Sequence, residues 1–277
     1  MLFAIVLLAP ATIASSLRET IAAQPGLDYF YNLEYDQAYA VFSDQAAQNP
    51  SSPDVYNHIA QTVLYKEMYR AGMLSSEFVG GTQFIRQPKL KLTEAVDKQF
   101  HDAINRAMSL CQERLAANPD DTAALYSIGV SYELRANYSF VVRKAWRDAL
   151  RDAAEARKAH VRATELDPNF IDAKLTQGVY DYVVGSLPLR WKMLAFVGGF
   201  HGNKERGILT LKEVGDHGRM NRVDAMVLLA ALYLRGKQPE EAVPALTALT
   251  ENFPRNPLLR VELDKAVAAT NNVVAQR

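Results

Sequence analysis

NPDDTAALYSIGVSYELRANY, residues 118–138, decides the fold. Asn118-Pro119 stops one helix, because proline has no amide hydrogen to donate and pushes the residue before it away from helical geometry. Asp120 and Asp121 make a turn. A new helix then carries Leu125, Ile128, Gly129 and Tyr132 on one stripe, at spacings of three, one and three. Gly129 lies where another helix has to come close. The stretch reads as one member of a packed helical pair, and similar proline-marked stops stand at Pro50, Pro168 and Pro254.

Composition bounds what such pairs can do. Of 277 residues, 49% are apolar, enough for a core and too many for general disorder. The 31 basic and 31 acidic residues cancel, which argues against a nucleic-acid surface, since phosphate binding needs a basic excess. Cys111 stands alone, so there is no internal disulfide and no all-Cys metal site; it reads as a small core residue. No apolar run reaches the ~18–20 residues of a membrane span.

In chain order, residues 1–14, MLFAIVLLAPATIA, form a short apolar run with the small-x-small endings of a signal peptide, although Met1 is followed directly by Leu2 with no basic residue. They are expected to be a signal peptide, and 15–277 a single helical domain. The location this implies is exported, periplasmic or in a bacterial cell envelope; the alternative is a buried first helix of a cytoplasmic protein. Pro25-Gly26 reads as a break. Helices are predicted over 35–48, 54–71, 93–117, 140–166, 170–184, 203–211, 222–235, 240–252 and 257–270, with Ser51, Ser52, Asp54, Thr93 and Asn203 as caps. Pro244 predicts a local bend. Residues 72–92 interrupt the rhythm with Gly72, Gly80, Gly81 and Pro88, yet keep Met73, Leu74, Phe78, Val79, Phe84 and Ile85. They read as a loop folded over its own core or as a lid. Pro188 opens a short helix to 197 that Arg190 and Lys192 make amphipathic. The basic run Arg143 to Arg162 is interleaved with Asp148, Asp152 and Glu155, and reads as a solvated face or an anion patch.

The positions then fall into register with the tetratricopeptide repeat (TPR), a unit of about 34 residues that asks for a small residue at position 8, an aromatic at 11, Ala at 20 and Pro at 32. Back from Pro254, Ala230, Tyr233 and Ala242 meet it. Forward from Pro119, Leu125, Gly129 and Tyr132 take positions 4, 8 and 11. Ala38 and Phe42 before Pro50, and Ala156 and Ala163 before Pro168, match the second helix. The closing prolines lie farther apart than one unit, so insertions must fall between the two helices of a pair. The fold expected is all-α: a right-handed α-solenoid of TPR-like hairpins with such insertions. Residues 175–211 further resemble a segment of a eukaryotic TPR family that includes mitochondrial outer-membrane and inclusion-body clearance proteins, through Gly178, Leu187, Pro188, Leu194, Phe200, Gly202, Asn203, Gly207 and Leu211. That resemblance implies a non-enzymatic scaffold or adaptor.

Phosphate-loop, dinucleotide, zinc-protease and nucleophile-elbow motifs are all missing, and no two of the five histidines share a helix at i,i+4. The expectation is no enzyme, no metal and no cofactor. In a TPR solenoid the first helix of each pair lines a concave groove through positions 5, 9 and 12. Here these are Asn57, Gln61, Tyr126, Val130, Glu133 and Tyr182, suited to an unknown peptide or protein partner. The alternative is a carrier that holds a lipid or small apolar ligand under the 72–92 insertion and makes peripheral contact with a membrane.

Overall fold

The computed structural model describes residues 24–74, 88–189, 192, 193, 196 and 201–275. The run at 1–14, residues 75–87 of the insertion and most of the apolar residues expected on the 188–197 helix lie outside them. Among the described residues there is no strand, and no helix is long and apolar enough to cross a membrane.

The helices are α1 (Pro25–Tyr31), α2 (Tyr35–Gln48), α3 (Pro53–Arg70), α4 (Glu94–Ala117), α5 (Thr122–Tyr138), α6 (Trp146–Leu166), α7 (Leu175–Gly185), α8 (Lys204–His217), α9 (Arg222–Arg235), α10 (Pro239–Asn252) and α11 (Pro257–Ala275). Hairpins form from α3 with α4, α5 with α6, α7 with α8 and α9 with α10. The long connections sit inside the first and third hairpins, as the register requires; in the second, the extra residues lengthen α5 and α6 and form the turn between them. The chain is an all-α helical-repeat solenoid.

Local chemistry sets most boundaries. The Thr93 hydroxyl accepts from Val96 N at 3.3 Å, Asp121 from Ala124 N at 3.0 Å, and Asn203 from Arg206 N at 2.8 Å. Each supplies an acceptor for an amide that the first turn leaves orphaned. The Arg114 guanidinium then grips Asp121 through two contacts of 2.9 Å. Ser52 makes no side-chain cap to α3, contrary to expectation; Pro53 opens that helix instead, and the nearby Asp54 carboxylate accepts from Ser127. The helix predicted from 140 begins later. Residues Ser139–Arg143 form a π-turn, Lys144 takes a left-handed φ of 55°, and α6 starts at Trp146. Lys144 thus takes the left-handed conformation that a glycine commonly supplies after a helix.

Pro25-Gly26 is a helix start and not a break. Pro25 supplies the preset φ of a first helical position, and Gly26 lies against the Phe42 ring, where a Cβ would overlap it. Leu27 and Phe30 of α1 join the core formed by Tyr35, Ala38 and Phe42 of α2 and the inner face of α3. Buried residues surround much of α3, because it packs on α2, α4 and α5 at once.

The two ends of the solenoid meet. Arg255, in the turn between α10 and α11, contacts Asp28 at 3.0 Å and Glu34 at 2.9 Å. Its amide donates to Asn32 Oδ1 at 3.0 Å, Asn256 Nδ2 donates to the Tyr31 carbonyl at 2.7 Å, and the Tyr31 and Phe253 rings lie 5.2 Å apart. Asn32 is almost fully buried at 2% exposure and also donates to Asp28 O, so its amide is held in one orientation. The exposed ion pairs add little by themselves. The buried Asn32 and Asn256 bonds define the geometry of the closure.

Candidate functional site

Closing the solenoid converts its inner groove into a cavity of about 470 Å³. The inner faces of α3, α5 and α9 supply most of the wall, and α1, α2, α7, α10, α11 and adjoining loops complete it. Leu27, Phe30, Met68, Val130, Leu228 and Leu234 make the lining largely apolar. Met73 and Leu74, at the start of the 72–92 insertion, also belong to it.

Five of the six groove residues named from the register come together here: Asn57, Gln61, Tyr126, Val130 and Glu133. They are not a solvated surface. Asn57 is buried at 2% exposure, donates to Ser127 O at 2.8 Å and accepts from the Ser131 hydroxyl at 2.7 Å, which ties α3 to α5. Tyr126 is buried, stacked on His160 at 5.3 Å and tilted against Phe170 at 5.0 Å. Glu133 accepts from the Thr176 hydroxyl, which also touches His160 Nδ1 at 2.6 Å. The other histidine nitrogen, Nε2, meets the Tyr126 carbonyl at 3.1 Å. Val130 and Gln61 keep more of their surface toward the cavity.

Tyr182 is placed elsewhere. It is buried at the α7–α8 interface with Lys204 Nζ 5.8 Å from its ring centroid, and it is not part of the cavity lining. Its neighbours explain the glycines of 175–211. A Cβ on Gly207 would lie 2.5 Å from Tyr182 N and 2.7 Å from Gly178 O, and one on Gly202 would lie 2.9 Å from Asp181 O. The backbones of α7 and α8 run that close. Gly202-Asn203 serves this contact and the cap of α8.

The cavity has a one-signed charge pattern. Asp54, Glu133, Asp224 and Glu262 line it, and none of the described lining residues is Lys or Arg. His58 is the one base among them, and burial pushes its pKa down against the opposing pull of Asp54 and Gln61. Asp224, in the first turn of α9, is the most perturbed acid. Burial pushes its pKa up to about 7, the Tyr31 hydroxyl bonded to it works the other way, and Glu133 pushes it further up. Tyr31, Tyr65 and Tyr126 are all held above the usual phenol range, chiefly by burial, so each stays neutral.

Elsewhere the basic helical face is met by acids. Arg143 and Arg151 reach Asp148 at 3.1 and 3.4 Å, and Arg162 reaches Asp120 at 2.7 Å. Cys111 is fully buried, and burial pushes its thiol up to about 12. No group of three His, Cys, Asp or Glu side chains among the described residues is arranged to hold a metal ion.

Sequence reasoning missed Asp224, Tyr31 and the α9 wall. The signal for that wall was present. With Ala230 at position 8 of its unit, positions 5, 9 and 12 are Val227, Ala231 and Leu234, and all three line the cavity.

Among solved structures, the chain is similar to a thermophilic TPR protein of Thermus thermophilus at 15% identity and a TM-score of 0.45, with 91% of this chain and 99% of that chain covered. It also matches the C-terminal part of a TPR repeat-containing protein from Cytophaga hutchinsonii at 14% identity and a TM-score of 0.28, covering 87% and 98%. No family model and no curated protein matches the chain.

Proposed function

We propose that this chain is a non-catalytic binding protein, a TPR-type scaffold whose ligand enters the cavity inside the solenoid. It rests on the convergence of register-predicted groove positions from α3 and α5 on one largely apolar cavity of about 470 Å³. That volume lies within the roughly 300–1,000 Å³ typical of ligand pockets and far below what a folded domain needs. The occupant is therefore an apolar segment of a peptide or protein partner, or a small molecule with an apolar body. Met73 and Leu74 in the wall favour the second of these, because they bring the start of the 72–92 insertion to the same cavity. The apolar run at 1–14 supports export to a cell envelope, which N-terminal sequencing of the mature protein would test. The resemblance of 175–211 to the eukaryotic clearance family supports an adaptor role for a protein partner.

The cavity is tested by filling it. Ala231 lines it and is only half-buried. Ala231→Trp is expected to abolish the fluorescence of the neutral probe N-phenyl-1-naphthylamine on the native protein while leaving the thermal midpoint within a few degrees. Unchanged probe binding in a folded variant would show that the ligand site lies elsewhere.

A further inference from the structure

Resting on that reading, we infer that the cavity selects a ligand with a positively charged amine on an apolar body, with Asp224 and Tyr31 receiving the ammonium group. The lining is apolar over most of its area but carries four carboxyl groups, of which Glu262 is paired with Lys265 at 3.2 Å, and, among the described residues, no Lys or Arg. An anionic head would meet like charge on several sides. A neutral chain would leave Asp224 with no cationic partner among the described lining residues.

Asp224 is the focus because of where it stands in the cavity and what acts on it there. It stands in the first turn of α9, half-buried, and lines the same cavity as Tyr31 of α1. It is bonded to Tyr31, the residue whose carbonyl and ring take part in that closure. The charge acting on it among the described residues is Glu133, which repels it. Enclosing a carboxylate without a cation is costly, so the group either keeps its proton or receives a cation. Its pKa of about 7 is the corresponding titration signature.

The titratable groups that line the cavity with Asp224 are Tyr31 from α1, Tyr35 from α2, Asp54, His58 and Tyr65 from α3, Tyr126 and Glu133 from α5, and Glu262 from α11, which Lys265 meets at 3.2 Å. None supplies a fixed positive charge: the phenols are neutral and burial disfavours the charged form of His58. An ammonium ligand therefore binds the ionised form of Asp224, and its affinity rises with pH through about 7.

The ammonium chemistry has two sources, a free amphiphilic amine or the amino terminus of an apolar peptide. Calorimetric titration of the full-length chain at pH 8 with octylammonium, 1-octanol and octanoate separates charge from apolar fit, and trileucine amide with a free or acetylated amino terminus separates the sources. We expect octylammonium, or the free peptide over its acetylated form, to bind at least about tenfold more tightly than the uncharged analogue, as a charge-assisted hydrogen bond implies. Octanoate should bind more weakly than octanol. Asp224→Asn should erase the amine preference and leave octanol binding in place. Equal binding of the amine and the alcohol, or an amine preference that survives Asp224→Asn, would overturn the inference and leave the cavity reading standing. Failure of every apolar probe would overturn both. If Asp224→Asn does not fold, octylammonium affinity of the native chain from pH 5 to pH 8 carries the same decision: a rise through about 7 supports the inference, and a flat profile rejects it.

Discussion

In the α5–α6 hairpin a glycine makes room for a side chain, whereas in the α7–α8 hairpin glycines make room for backbone. A Cβ on Gly129 would overlap the imidazole of His160, a buried ring held by Tyr126 O and Thr176. A Cβ on Gly207 would press on Tyr182 N and Gly178 O, which no rotamer change can move. Each hairpin also carries one forked Arg–Asp pair. Arg135 holds Asp152 at 2.7 and 2.8 Å, and Arg206 holds Asp181 with both contacts at 2.6 Å. The same two devices thus stand in different surroundings. A repeat motif specifies that two helices approach; it does not specify whether side chains or main chains meet.

The largest effect is expected at the backbone contact. Gly207→Ala should cost about 3 kcal/mol or more, because α7 and α8 must separate along their length. Gly129→Ala should cost roughly 1–2 kcal/mol, the loss of a buried hydrogen bond at His160 partly offset by the better helix propensity of alanine. Urea denaturation midpoints read both. The sharper check is rescue. Adding His160→Ala to Gly129→Ala should recover part of the loss. Truncating Leu211, the side chain nearest Gly178, should recover nothing in Gly207→Ala. Rescue in both hairpins, or in neither, would erase the distinction.

Next in size are the ion pairs. The Asp152 side chain is 2% exposed, while Asp181 keeps 12% and its partner Arg206 keeps 62%. Arg135→Ala strands a buried carboxylate and should cost about 3 kcal/mol. Arg151, 3.7 Å from Asp152, offers some compensation. Arg206→Ala leaves Asp181 near water and should cost about 1 kcal/mol or less. High salt should shrink the second loss more than the first, because only the exposed pair is well screened.

This contrast also marks what was legible in the sequence. Most of the helices, the caps at Thr93 and Asn203, and the inward-facing register of α3 and α5 follow from periodicity and punctuation, which are local. Tyr182 shares position 12 with Glu133, yet it packs under α8, because register fixes the direction in which a side chain leaves its helix and not the distance to the partner helix. On α7 the residue that reaches the cavity is Leu175, at position 5. Asp224 is harder still. It is half-buried, and its neighbour Tyr31 belongs to α1, which meets the α10–α11 turn through Asn32 and Arg255, a contact between segments more than two hundred residues apart. Reading Pro25-Gly26 as a break hid that helix. Proline followed by glycine signals a break only where neither the first-turn geometry nor a close neighbour such as Phe42 uses it.

The smallest expected effect tests how the two hairpins differ toward the cavity. There α5 presents Glu133 and α7 presents Leu175, so the like charge acting on Asp224 comes from α5. In the folded chain Asp224 titrates near 7, against roughly 4 for an unfolded aspartate. The folded state holds the extra proton between these values, so the stability contribution of Asp224 is full below about 4, falls as pH rises, and is lost above about 7. Asp224→Asn should flatten that fall. Glu133→Gln removes the repulsion but keeps an oxygen that accepts from the Thr176 hydroxyl, so it should leave the midpoint at pH 5 almost unchanged. It should end the fall below pH 7, narrowing the window without closing it, because burial is the larger cause of the shift. Denaturation midpoints from pH 4 to pH 8 for the native chain and both variants measure the two contributions separately. A window left unaltered by Glu133→Gln would mean that α5 contributes no more charge to the cavity than α7 does.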